Sequence, residues 1–310
     1  MKVKLSTGFR KILSAPLVLI FSLLLSCAPA SNEKDSEEAS QVASVPCFGS
    51  GDIIVSNSAS DVVLVLNSEG SYKNIAFNVF NNSETVIGIT LSAAGELLVA
   101  VDGADRIVAI EPTACGARTF AADANLTGTL RGIAQVSNGD VLVVETNNVE
   151  RFNSAGLRLT TGGWPKSLQT AGTGIAPTST GGFVHCSTGT DAVRTYDNGG
   201  NQIHTAMSGI AGTTDVMDCL ALSNGHIAAV FSGTTDTVRI YSSDLGSILG
   251  SYSDINFLSS PGGMAQRANG NLLIVDRLLH YIVEVTNTGT FVNMIGDGVL
   301  NTPEHILVVP

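Results

Sequence analysis

Six glycines recur at a nearly fixed interval. Gly51, Gly95, Gly139, Gly181, Gly225 and Gly270 are separated by 44, 44, 42, 44 and 45 residues. A polar residue follows most of them, and then a short apolar run such as IIVSN, LLVAVD, VLVVET, FVHCST, IAAVFS or LLIVD. Continuous apolar runs of this length, closed by turn residues, suit strands buried on both faces. A further strand follows a brief turn in each unit: VVLVLN, RIVAIE, VERFN, AVRTYD, TVRIYS and YIVEVT. Gly-bearing turns then lead to an outer strand, as in SEGSYKNIAF, NSAGLRLT, NGGNQIHT and NTGTFVNMI. Gly and Asn supply the positive φ that tight hairpins need.

One more strand precedes each glycine, in IGITLSAA, RGIAQVSN, TGIAPTST, CLALSNG and GMAQRANG. Small residues crowd its start, as expected where neighbouring units converge on a central channel. Four strands per unit at this period specify an all-β, six-bladed propeller. Blade 1 lacks its innermost strand, since VPCFGS before Gly51 is a poor candidate. HILVVP, residues 305–310, lies one period after Met264 and supplies it. The C-terminal strand therefore pairs with the first blade and closes the ring, which removes exposed sheet edges.

The propeller is expected to occupy 47–310. Ahead of it, Lys2, Lys4, Arg10 and Lys11 precede an apolar run from Ile12 to Leu25. That run is shorter than the roughly 20 residues of a membrane span and reads as a secretory signal over 1–26. Its end, L-L-S-C at 24–27, resembles the lipobox of bacterial lipoproteins. The resemblance implies a lipidated Cys27, a bacterial envelope location and, with Ala28 next, sorting to the outer membrane. The alternative is cleavage at the nearby A-P-A. Residues 27–46 are polar and acidic and read as a disordered tether.

Loss of the four leader cations leaves 12 basic against 27 acidic residues, a net charge of −15. That balance argues against nucleic acid, whose binding requires phosphate neutralisation. A lipid anchor, not surface charge, is the expected link to membrane, and a monomer is expected.

The segment IVDRLLHYIVEVTNTGTFVNMIG resembles an NHL-type repeat, and VAVDGADRIVAIEP is a second fair copy. The Asn and Arg of the name-giving triplet are absent around His280, so the resemblance implies the six-bladed architecture and not a subfamily. That architecture carries binding proteins and hydrolases alike.

No G-x-S-x-G, H-E-x-x-H, phosphate-binding loop or C-x-x-C motif occurs. The top of the ring is defined here as the side where innermost strands start and second strands end. The expected channel-mouth residues are Ile87, Arg131, Thr173, Asp218, Gly262 and Glu304. Glu304, Asp218, Arg131 and His305 are candidate binding groups, and Glu304 and Asp218, with His305 beside them, are candidate ligands for Ca²⁺ or another divalent cation. Gluconolactonase-type lactonases resemble this plan, although P-E-H-I stands here where they show E-G-P. The bland reading is a set of charges solvated at a wet mouth. Second-strand ends add Asp61, Asp102, Asp105, Glu145, Asp191, Asp236 and Asp276 to the top, where they serve turns or bind a cation or basic partner. Trp164 is either a loop anchor or an exposed contact.

Two function classes follow. One is a non-catalytic envelope module that holds a protein, peptide or glycan. The other is a metal-dependent lactonase or other hydrolase. Export also implies disulfides. Topology favours Cys47–Cys115 on the bottom and Cys186–Cys219 on the top, the latter with two buried free thiols as its alternative.

Overall fold

The structure, a computed structural model, describes residues 46–79, 83–207, 214–254 and 256–310. The signal segment, Cys27 and almost all of the tether lie outside the described residues. Among the described residues no helix is long and apolar enough to cross a membrane.

Six antiparallel sheets make a β-propeller. Blade 1 is ordered Pro303–Val308, Ile53–Asn57, Val62–Leu66, Tyr72–Asn78 from the inside outwards. The C-terminal strand thus completes the first blade, with Ile54 opposite Leu307 and Val55 opposite Ile306. Blades 2, 4, 5 and 6 follow a simple meander, with innermost strands Thr85–Leu91, Gly172–Pro177, Thr214–Ala221 and Pro261–Gln266. Blade 3 departs from expectation. Its sheet has three strands, Leu130–Gln135, Val141–Glu145 and Asn148–Phe152. NSAGLRLT does not form the fourth; it makes one bridge, Phe152 to Arg158, and a second bridge follows at Val149 to Lys166. Between those bridges the chain turns through Gly162 and Gly163, both at positive φ, which a continuous strand cannot accommodate.

The apolar runs are continuous because each blade is clamped between two others. In blade 1, Ile54, Val63 and Val65 pack against Leu97, Val99 and Val101 of blade 2. Ile53, Val55, Leu64 and Leu66 face the other way, against Leu273, Val275 and Ile282 of blade 6. The same alternation builds an apolar layer at every junction of the ring. Each fully buried Ile, Val or Leu contributes roughly 1.5–3 kcal/mol, so the wall between blades carries the fold's stability.

Cys47 and Cys115 form a disulfide with Cα atoms 5.2 Å apart. It pins the chain entering blade 1 to the outer turn of blade 2, beside a Cys47 N–H that donates to the Pro112 carbonyl at 2.7 Å. The expected Cys186–Cys219 bridge is not formed. Both are buried free thiols, each directed at the carbonyl of Gly174, at 3.7 and 3.8 Å. Burial pushes the Cys219 thiol well up. Trp164 is an anchor rather than an exposed contact: it is buried, with the Arg151 guanidinium over its ring at 5.1 Å and the Lys166 ammonium at 5.9 Å.

Candidate functional site at the top of the channel

Every innermost strand carries one extra residue near its upper end. The registers shift between Val86 and Ile89, Leu130 and Ile133, Gly172 and Ile175, Val216 and Asp218, and Pro261 and Met264. The closing strand shifts opposite Ser56 and Asn57. These bulges turn Ile87, Arg131, Thr173, Met217, Gly262 and Glu304 toward the channel mouth.

The next position in each bulge forms the waist of the channel. Four blades place glycine there: Gly88, Gly132, Gly174 and Gly263. A Cβ on Gly132 would sit 2.6 Å from the Thr173 carbonyl, and one on Gly263 would sit 2.7 Å from the His305 Cα. The blades converge too closely for a side chain between them. The two exceptions are Asp218 in blade 5 and His305 in blade 1. Their side chains meet across blade 6, Nε2 of His305 lying 3.7 Å from Oδ2 of Asp218.

Asp218 was expected at the mouth and is instead one residue deeper. It is 3% exposed. Its Oδ1 accepts from its neighbour Cys219 N–H at 2.9 Å, and its Oδ2 accepts from the Met264 N–H at 2.8 Å. Burial raises its pKa, an effect that His305 and the two N–H groups oppose. His305 borders both the mouth and the space below the waist, and its Nδ1 is buried with no hydrogen-bond partner.

Glu304 does stand at the mouth, but not facing Asp218. Its Oε1 accepts from the Ser58 hydroxyl at 2.9 Å, and its Oε2 lies 3.5 Å from Nη1 of Arg277. The two proposed cation ligands are thus committed to different partners. Among the described residues no three His, Cys, Asp or Glu side chains gather as a metal would require. The residues present do not fit the Ca²⁺ site that the lactonase resemblance implied.

Four other acids of the top serve the backbone, while Asp61 and Asp191 each keep a buried carboxylate oxygen without a partner. Asp276 accepts N–H bonds from Ser259, Ser260, Leu278 and Leu279. Glu145 accepts from Thr127 and Gly128, Asp102 from Leu130, and Asp236 from Gly233. Asn57 does the same for Asn301. These four second-strand ends therefore hold the segments that bring the chain back to the centre.

Beside the mouth, between blades 3 and 6, lies a cavity of about 350 Å³. Arg131, Thr173, Asp215, Met217 and Arg277 border it, with Thr188 at its edge. Thr173 is a fixed wall, its hydroxyl donating to the Val216 carbonyl at 2.7 Å. The side chains of Arg131 and Asp215 form no hydrogen bond or ion pair with any described residue. Asp191 stands behind Asp215; burial first, and Asp215 second, raise its pKa, and its Oδ1 is buried without a partner. Below the waist the channel opens into a second space of about 300 Å³ with an apolar wall that includes Ile89, Ile133, Ile175, Met264 and Ile306.

Sequence reasoning found Arg131, Glu304 and His305 at the mouth. It missed Arg277 and Asp215. Arg277 carried a signal, because it directly follows the strand-ending Asp276.

No protein-family model matches the chain, and no curated protein matches it. Solved structures do. One from a nidogen/laminin complex superposes with a TM-score of 0.68 at 10% identity, covering 84% of this chain and 98% of that one. Virginiamycin B lyase from Staphylococcus aureus, in a catalytically inactive form with quinupristin, gives 0.60 at 15% identity, covering 84% and 87%. A streptogramin B lyase structure gives 0.60 at 17%, covering 86% and 88%. At these identities the similarity establishes the propeller fold, which its relatives use both in association and in catalysis.

Proposed function

We propose that the chain is a bacterial lipoprotein, anchored through Cys27 in the outer membrane of the envelope, whose propeller is a non-catalytic binding module. Its top face holds a protein, peptide or glycan partner. The observation that carries this reading is the top cavity, where the side chains of Arg131 and Asp215, without a partner among the described residues, border a recess. The Cys47–Cys115 disulfide suits an exported chain, and the L-L-S-C segment supplies the anchor. A fold relative from a nidogen/laminin complex lends support from a setting of protein association. The lactonase or hydrolase alternative needed Glu304 and Asp218 to converge on a metal, and each has another partner.

The test has two arms. Cys27→Ser should move the protein from the membrane to the soluble fraction; a variant that stays membrane-bound contradicts the anchor. Lactone and phosphoester hydrolysis, assayed with and without chelator, should stay at background. Turnover that the chelator abolishes would overturn the binding reading.

A further inference from the structure

The top cavity presents opposite charges that do not neutralise each other. Arg131 enters from blade 3 and Asp215 from blade 5, with the fixed Thr173 of blade 4 between them. Neither has an ion-pair partner among the described residues. Arg277 adds a second guanidinium on the far side. Its Nη1 lies 3.5 Å from Glu304, and its Nε is buried without a partner. Asp191 adds a second carboxylate behind Asp215. A simple anion would meet Asp215. A simple cation would meet Arg131 and Arg277. A molecule carrying both charges satisfies both ends.

We propose that this cavity recognises a small zwitterion of the α-amino-acid type, free or as a dipeptide, with its carboxylate on Arg131 and its ammonium on Asp215. The proposal rests on the binding-module reading and names its ligand class. Arginine's planar fork pairs with carboxylate in two parallel bonds. An ammonium beside Asp215 relieves the repulsion between that carboxylate and Asp191. The volume of about 350 Å³ falls at the small end of ligand sites, which span roughly 300–1,000 Å³. Thr146 takes the Thr129 N–H on its hydroxyl oxygen at 3.0 Å, which leaves its own O–H to donate into the cavity. The apolar space below the waist offers no such pair of charges.

The experiment is a thermal melt and a calorimetric titration of the full exported chain. The probes are the free L-amino acids and a set of dipeptides, each beside its N-acetylated and its C-amidated form. At least one free zwitterion should bind saturably and raise the melting temperature. Blocking either end should weaken it about tenfold or more, as loss of one partner of a charge pair does. Arg131→Gln should abolish discrimination against the amide, and Asp215→Asn discrimination against the acetyl form, with both variants folded. Blocked forms that bind like free ones, a set in which nothing binds, or variants that keep both discriminations would overturn the proposal. A partner crosslinked equally by the parent and the double variant would overturn it too, while leaving the module reading intact. Binding followed by chemical turnover would do the reverse.

Discussion

The two halves of the channel are built from the same six strands and have opposite characters. Below the waist five of the six blades contribute an apolar residue at the same place: Ile89, Ile133, Ile175, Met264 and Ile306 share one wall. Above it the blades diverge, with Ile87, Arg131, Thr173, Met217, Gly262 and Glu304 at one equivalent position. The lower half repeats because packing between blades demands it. The upper half is free of that demand, since the bulge turns one residue per blade out of the wall. Variation is concentrated where packing does not dictate identity, in the half where the proposed recognition surface lies. The waist between them tolerates a side chain only at Asp218 and His305.

Both halves require a closed ring, and deletion of residues 303–310 removes one wall from each. It also exposes the edge of Ile53–Asn57, which pairs with the deleted strand, and uncovers the neighbouring Pro261–Gln266. The expected result is loss of the whole folding free energy, about 5–15 kcal/mol for a typical domain, read as aggregation or the absence of a cooperative melt. A truncated chain that melts like the parent breaks the account. Removal of residues 28–46 should leave the melting temperature unchanged.

A smaller effect separates the two halves by pH. His185, fully buried behind the upper wall, donates Nδ1–H to the Gly174 carbonyl at 2.8 Å. Burial lowers its pKa from 6.5 to about 4. The folded state then binds fewer protons than the unfolded one across that window, so stability is complete above pH 6.5 and falls as pH drops toward 4. The loss should be about 3 kcal/mol. Asp218 has the opposite sign. Its raised pKa makes stability grow as pH falls through that value toward the ordinary 3.8. Denaturant melts of parent, His185→Gln and Asp218→Asn against pH should show the acid loss flattened in the first variant and deepened in the second. Identical profiles would contradict both assignments.

The waist itself is tested by one methyl group. Gly132→Ala places a Cβ 2.6 Å from the Thr173 carbonyl and should cost about 1–3 kcal/mol through overpacking. Gly49→Ala has nothing within 4 Å and should stay within about 0.5 kcal/mol. Equal melting temperatures for the two would show that the glycines are not required by convergence. Smallest of all, Arg131→Gln should leave stability within about 0.5 kcal/mol, because no described residue depends on that guanidinium; a larger loss would place Arg131 in the framework and not in the site.

The lower half and the ring closure were legible in the sequence because packing repeats its signal six times. Gly51 through Gly270 mark the turns, and HILVVP falls one period after Met264. The disulfide pair Cys47–Cys115 was legible from the side of the ring on which each cysteine falls. The upper half was not, because its information lies in exceptions. Asp218 occupies the slot that glycine marks elsewhere, so counting back from the strand CLALSNG placed it one residue too high. Cys186 and Cys219 are close enough to suggest a bridge, but both thiols turn to one carbonyl. NSAGLRLT has the letters of an outer strand, yet Leu157 projects into solvent at 65% exposure and the pairing ends with the Leu159 N–H donating to the Arg151 carbonyl at 2.8 Å. Arg277 and Asp215 reach the cavity through tertiary geometry that no local pattern encodes.

The central claim is that recognition happens at the top. A photo-crosslinking residue placed at Thr129 or Thr188 on the upper face, or at Ser179 or Asn224 on the lower face, tests it directly in the native envelope. The account predicts adducts from the two upper positions, lost when Arg131→Gln is combined with them, and none from the lower pair. Adducts from Ser179 or Asn224 with silence at Thr129 and Thr188 would contradict it.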